Sequence, residues 1–295
     1  MRQQENKQYF EFLDELNTAK ANFKSMHGES VIIDAEGVEK RAKEGKSLID
    51  MEKIEIDEKF LDELFQVLCP VLKKYEAFTP SEIQELMQNR EKIDFAKLIR
   101  SVLIGDLEDI KSCATQLNLN PDLLSFIGLN LVQALLEFYS EKLEDKIDRE
   151  SWLKGNCPVC GSFPAMEKLR REDGKRILWC GLCSTEWHYK RIKCPFCGNE
   201  DHNSLRYFFT EGDLSSDSSP EENPFRVDVC DKCKKYIKTI DERKMPENEI
   251  PDFFQENINT LYLDILAQKD GYESPTYLKP QILGWMIAPS EKESV

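Results

Sequence analysis

The 295-residue chain has no uninterrupted apolar run long enough to cross a bilayer, about 18 residues or more. The nearest approach, "LLSFIGLNLVQALLEFY" from Leu123 to Tyr139, is broken by Ser125, Asn130, Gln133 and Glu137. No membrane insertion is expected. The opening "MRQQENKQYFEFLDELN" has neither an apolar core nor a small-residue cleavage site, so no leader is visible and a cytoplasmic protein is expected. Only three histidines occur, and G-x-S-x-G, G-x-G-x-x-G and phosphate-loop patterns are all missing. Carboxylates are so abundant, 55 Asp and Glu, that no acid–base pair stands out. The expectation is a protein that is not an enzyme.

What is present is a charge of −15 and ten cysteines. The charge is uneven. Residues 151–245 hold 17 Lys and Arg against 15 Asp and Glu, whereas the flanking segments hold 23 against 40. A near-neutral centre between acidic flanks implies two different jobs and speaks against nucleic acid as a partner. Reduced cytoplasmic conditions disfavour structural disulfides, so eight cysteines in Cys-x-x-Cys pairs point to metal binding or thiol chemistry. Cys69 and Cys113 stand alone in apolar helical contexts and read as core residues.

The N-terminal half is helical by pattern. Phe60, Leu61, Leu64, Phe65 and Leu68 recur at helical spacing. Thr79, Pro80 and Glu82 form a helix start with a capping box. Gly105 ends one helix and Asp106 caps the next. Asn120 and Pro121 open the longest helix, to about Lys146, apolar on more than one stripe and therefore expected between other helices. Residues 24–50 read as a polar, mobile stretch. Beyond residue 150 the texture changes. "KRILWC", "SLRYFFT" and "FRVDVC" are strand-like runs between cysteine pairs. The loop "EGDLSSDSSPEENP" is acidic and Ser-rich, and "DFFQENINTLYLDILAQKDGY" returns to helix before a stop at Gly271.

The pairs are Cys157/Cys160, Cys180/Cys183, Cys194/Cys197 and Cys230/Cys233, with 19, 10 and 32 residues between them. A tetrahedral thiolate site needs four sulfurs about 2.3 Å from the metal, and a Cys-x-x-Cys turn wraps one edge of it. In "CPVCG" and "CPFCG" the proline restricts the turn, while Gly161 and Gly198 permit the backbone conformation of its exit. Sequential grouping makes two four-cysteine sites; an interleaved grouping of first with third and second with fourth is the alternative. Either zinc or iron suits such sites, and spacing does not separate them. Nearby Lys and Arg, from Arg170 to Lys235, offset the charge of about −2 that four thiolates leave around a divalent ion. His188 and His202 are surplus to eight thiols as ligands.

"CPVCGSFPAM", "GKRILWCGLCSTEWHYKRIKCPFCGN", "VCDKCKKYIKTI" and "LYLDILAQKDGY" together resemble the formate dehydrogenase accessory proteins, the FdhE family. The likeness includes Thr185-Glu186-Trp187, Arg191, Tyr236-Ile237-Lys238 and the Leu-x-Leu-Asp of Leu261 to Asp264, and covers residues 151–272. The resemblance implies a cytoplasmic assembly factor for respiratory formate dehydrogenase, binding iron at rubredoxin-like sites and contacting the catalytic subunit of the enzyme. Two departures from the family pattern are the acidic loop 211–224 and Tyr262, where histidine is frequent.

The fold expected is mainly α with small β metal modules. It comprises an N-terminal helical bundle (1–150), two tandem rubredoxin-like or zinc-ribbon modules (151–245, divided near 192) and a C-terminal helical segment (246–295). The eight paired cysteines are the expected ligands of two metal ions, iron or zinc. Glu186, Trp187, Arg191, Tyr236 and Lys238 are the expected partner-facing residues, with "STEWHYKRIK" as the bridge between the sites. A nucleic-acid-binding zinc ribbon and a dithiol oxidoreductase are the competing functions.

Overall fold

A computed structural model describes residues 2–27, 33–51, 53–54, 57–75, 78–209 and 223–275. Most of the acidic loop 211–224 and the end of the C-terminal segment, 276–295, lie outside the described residues. The described chain falls into two compact units, the first from Met1–Asp34 and Asp50–Glu141, the second from Ala35–Ile49 and Lys142–Gln281.

The first unit is helical: α1 (Arg2–His27), α3 (Glu58–Lys74), α4 (Pro80–Gln88), α5 (Phe95–Ile104), α6 (Leu107–Leu117) and α7 (Pro121–Lys142). Its helix starts are written in short polar residues. Asp57 accepts from the amides of Lys59 and Phe60, Asp94 from Lys97, and Asp106 from Asp109. Thr79 and Glu82 form the reciprocal capping box, with Pro80 opening the helix. Gly105 and Asn118 close α5 and α6 in the left-handed conformation. The predicted stripe of α3, Leu61, Leu64, Phe65 and Leu68, is wholly buried, each side chain removed from water contributing about 1.5–3 kcal/mol. α7 is buried nearly all round. It is long and apolar enough to cross a membrane by composition, but 89% of its most apolar window is buried inside the protein. Phe126 stacks on Phe12 of α1 and Phe138 meets Phe60 of α3 edge-on. Gly128 lets α7 lie close against α5, since a Cβ there would lie 2.8 Å from Val102 Cγ2.

The second unit is built on one six-stranded sheet: β1 (Met166–Leu169), β2 (Arg176–Trp179), β3 (Glu186–Tyr189), β4 (Leu205–Phe208), β5 (Phe225–Cys230) and β6 (Lys235–Asp241). The spatial order is β3-β2-β1-β6-β5-β4. All neighbours are antiparallel except β1 and β6, which pair in parallel with Met166 opposite Lys238. The two expected ribbon modules therefore share a single sheet, three strands from each. α8 (Phe253–Asn259) and α9 (Leu261–Lys269) cover one of its faces. Trp179 and Met166 pack with Phe253 of α8, and the Trp179 and Phe253 rings stack 5.5 Å apart. Val227, Val229 and Tyr236 pack with Leu263 and Ala267 of α9. The C-terminal helix read as one is two, broken at Thr260, whose hydroxyl donates to the Glu256 carbonyl.

Residues 35–49 correct the expectation of a mobile stretch. α2 (Ala35–Lys43) leads into Ser47-Leu48-Ile49, which lies along the first cysteine turn. The Leu48 and Ile49 amides donate to the Pro158 and Val159 carbonyls at 2.8 and 2.9 Å, and Ser47 Oγ donates to the Cys157 carbonyl at 2.8 Å. A turn that leaves its carbonyls pointing outward needs such donors once it is buried.

Candidate metal centres

The four Cys-x-x-Cys turns have one geometry. In each, the amide of the residue after the second cysteine donates to the carbonyl of the first: Gly161 to Cys157, Ser184 to Cys180, Gly198 to Cys194 and Lys234 to Cys230, at 2.8–3.0 Å. All four of these residues have positive φ, +82° and +72° at the glycines and +58° and +56° at Ser184 and Lys234. The glycine signal was readable in the sequence. Ser184 and Lys234 take the same conformation at a steric cost of roughly 1–2 kcal/mol each, which identical turn geometry imposes.

These turns bring Cys157, Cys160, Cys180 and Cys183 into one cluster and Cys194, Cys197, Cys230 and Cys233 into another, with the sulfurs of each within 4.8 Å of one another. The grouping is sequential, not interleaved. Sγ–Sγ distances are 3.5 Å for Cys157–Cys183 and Cys160–Cys180, and 3.7 Å for Cys194–Cys233 and Cys197–Cys230. A regular tetrahedron with metal–sulfur bonds of about 2.3 Å has edges of about 3.8 Å. The donor sets fit two closed thiolate sites, each taking a single zinc or iron ion.

The sulfurs of the first cluster differ in how readily they lose a proton. Hydrogen bonds from Cys157, Cys180 and Cys183 hold the Cys160 thiol well below its usual range. Burial pushes Cys180 and Cys183 well above theirs. One thiolate shared among four sulfurs is the state a cation completes. The two sites differ in access. All four sulfurs of the first are buried, whereas in the second Cys197 is exposed and Cys233 half-buried. Cys69, which burial pushes up to about 12, and Cys113 lie outside both clusters, as do His188 and His202.

The bridge between the sites is mostly interior. Trp187 is 1% exposed, with its indole nitrogen on the Lys154 carbonyl at 2.9 Å. The Tyr189 hydroxyl donates to the Cys194 carbonyl at 3.2 Å and Arg176 Nη1 to the Lys193 carbonyl at 2.6 Å, so β2 and β3 hold the third turn in place. Gly155, unremarked in the sequence, supports the same turn: a Cβ there would lie 1.8 Å from the Pro195 carbonyl oxygen. Of the residues expected to face a partner, Glu186 is half-buried beside Lys168 at 3.4 Å and Arg191 is exposed. Tyr236 and Lys238 are interior, 3% and 2% exposed. Lys238 Nζ sits 2.7 Å from Asp264 Oδ2 and donates to the Asn257 carbonyl, while the Tyr236 hydroxyl donates to Asp264 Oδ1 at 2.7 Å. Trp187, Tyr236 and Lys238 thus offer no surface. They tie the sheet to its supports: each buried polar atom is satisfied, and the Asp264 carboxylate offsets the cost of enclosing the Lys238 ammonium.

A helical unit, a six-strand sheet carrying two tetrathiolate clusters, and helices behind that sheet define a two-site metal-ribbon protein. Residues 156–191 match the family described as "FdhE, central domain" and residues 192–278 "FdhE, C-terminal domain". A protein FdhE homolog of Aquifex aeolicus (strain VF5) is 34% identical over 248 residues, 82% of this chain and 77% of that protein. The chain belongs to the FdhE family. A homolog from Pseudomonas aeruginosa is 33% identical over 162 residues, and protein FdhE of Escherichia coli (strain K12 / DH10B) 33% over 118 residues; these matches span 49% and 34% of those proteins. The crystal structure of the FdhE protein from Pseudomonas aeruginosa superimposes with a TM-score of 0.61 at 21% identity, covering 91% of this chain and 92% of that one, and shares its fold.

Proposed function

We propose that this chain is an accessory protein for the maturation of formate dehydrogenase, binding its catalytic subunit through the metal-stapled unit without turning over a small substrate. The observation that carries this reading is the pair of four-cysteine clusters, with sulfurs of opposite turns 3.5–3.7 Å apart, in a chain of the FdhE family. Cys157, Cys160, Cys180 and Cys183 hold one ion, and Cys194, Cys197, Cys230 and Cys233 the other. The ions crosslink segments distant in the chain; iron would add one-electron chemistry. The shared sheet makes the metal unit a rigid body, fit to hold a client surface in one arrangement.

The test is complementation in a bacterium lacking its own FdhE. The intact chain should restore formate dehydrogenase activity and co-purify with the catalytic subunit, with about two metal ions per chain. A Cys157→Ser, Cys194→Ser double variant should do neither. Full restoration by that metal-free variant would remove the metal-stapled reading.

A further inference from the structure

The sheet of the second unit has a second face. Strand register sets cross-strand neighbours on a common side. Met166, Lys238 and Val227 belong to the face under α8 and α9; Glu167, Thr239 and Arg226 belong to the opposite one, as do Ile237, Asp228 and Tyr207. On that opposite face opens a groove of about 470 Å³, lined by eight Lys and Arg and three carboxylates. In a protein of charge −15 this is a cationic island.

Its arginines are held in a common way. Arg243 grips Asp241 through Nε and Nη2, both at 2.7 Å. Arg226 does so with Asp228 at 3.2 Å. Each guanidinium is fixed in orientation, with Nη1 making no hydrogen bond among the described residues, and that of Arg226 also lies over the Tyr207 ring, 4.6 Å from its centre. The Arg191 side chain has no hydrogen-bond or ion-pair partner among them, while its carbonyl accepts from Arg176 Nη1 at 3.5 Å. Moreover, Nη1 of Arg191 and Nη1 of Arg243 each lie 3.5 Å from the point where a Cβ on Gly174 would stand, so they are no more than twice that distance apart. Arg243 already carries the Asp241 carboxylate, so Arg191 is the cation of the two with no carboxylate beside it among the described residues, and an anion lying between their Nη1 atoms would supply one. Beyond the cations the rim is apolar: Ile192 is 62% and Tyr207 57% exposed. Phe163 meets Phe196, the aromatic of the third turn, edge-on at 5.7 Å.

We propose that this groove binds an acidic, extended segment of a protein partner, its carboxylates bridging Arg191 and Arg243 and an apolar side chain lying over Ile192 and Tyr207. Arginine and aromatic groups together are the composition of protein interfaces and of their hot spots. A lone phosphate would satisfy the arginine pair but leave the apolar rim wet, which favours a polypeptide. The inference rests on the reading that the chain acts on a client protein, and replaces buried Trp187, Tyr236 and Lys238 with a surface that is open.

The test uses the full metal-loaded chain and two probes, a fluorescein-labelled peptide of alternating Glu and Leu and the catalytic subunit of formate dehydrogenase. Arg191→Glu and Ile192→Ser change exposed side chains, so metal content and unfolding midpoint should stay at the parent values. The double variant should bind both probes about tenfold more weakly or worse, and parent binding should weaken as salt rises. A Lys–Leu peptide should not bind. Unchanged binding of both probes by the double variant overturns the proposal. So does displacement of the acidic peptide by inorganic phosphate or a single-stranded oligonucleotide at lower concentration than unlabelled peptide. If the peptide binds in an Arg191-dependent way and the catalytic subunit not at all, the groove stands and the formate dehydrogenase reading falls. If the subunit binds parent and variant equally, the groove falls and that reading stands.

Discussion

Replacing Lys238 by methionine separates a residue that displays itself from one that holds the unit together. The Lys238 side chain is 2% exposed, and its ammonium lies 2.7 Å from Asp264, itself 12% exposed and bound by the Tyr236 hydroxyl. Burial lowers the affinity of Lys238 for its proton, and Asp264 acts against that loss. Methionine keeps the volume but removes the cation, leaving the enclosed Asp264 carboxyl with the Tyr236 hydroxyl as its side-chain donor among the described residues. Breaking a buried pair from one side costs about 3–5 kcal/mol, whereas replacing both charges by apolar groups of similar size is often close to neutral. Lys238→Met should therefore lower the unfolding free energy by about 3–5 kcal/mol, and Lys238→Met with Asp264→Leu should recover most of it. Urea unfolding of metal-saturated protein, followed by the fluorescence of buried Trp179 and Trp187, reads both values. A single variant within about 1 kcal/mol of the parent, or a double variant no better than the single, would refute the assignment of Lys238 to the interior network.

The unequal exposure of the clusters predicts release of metal in two phases. A chelator should empty the Cys194–Cys233 site first, and Cys197→Ser should abolish the fast phase while leaving the slow one; a single phase in the parent would contradict this. Gly155→Ala should destabilise the second unit by several kcal/mol and weaken metal retention at the third turn, because its methyl group would overlap the Pro195 carbonyl; an unchanged unfolding midpoint would show that the two segments separate freely. Glu167 gives a dependence on pH. Burial raises its carboxyl to about 7, with Arg176 opposing and Asp228, which shares the Thr239 hydroxyl and pairs with Arg226, adding to the rise. The folded state then keeps a proton that the unfolded chain gives up near 4.5, so this contribution is full below that value and lost as pH climbs through about 7. Unfolding measured from about pH 5 to 7 should show the parent losing stability relative to Glu167→Gln; parallel profiles would remove the effect.

Much of this molecule is legible in its residues because the signals are local. The capping box at Thr79, the stop at Gly105 and the buried stripe of α3 all lie within a few residues of their causes. The cysteine turns are local too, and only their grouping needed the fold. What escapes the sequence depends on distant partners. β1 and β3 have four residues each, too few for a period to emerge, and β1 is fixed by β6, whose Thr239 bonds Glu167 across 72 positions. Lys238 reads as a surface cation until Asp264 is found beside it. The groove hides in a segment of near-zero net charge, because Arg226 with Asp228 and Asp241 with Arg243 cancel in composition. Their spacing of two is the signal that was available: on the extended β5 it puts Arg226 and Asp228 on one side, and at the end of β6 it lets Asp241 cap the short 3-10 turn that carries Arg243.

The parallel pairing of β1 with β6 also sets a schedule. On the ribosome β1, β2 and β3 are complete when residue 189 has emerged, and the sulfurs of the first cluster are all available by then. The inner edge of β1 stays uncovered until β6 arrives, 72 residues after its partner positions, roughly 4–15 seconds at ordinary rates of synthesis. An open edge of that kind invites pairing with other chains. A first ion captured early would hold the nascent ribbon in register through that interval, so metal supply during translation, rather than after it, would decide how much of the chain reaches its folded form.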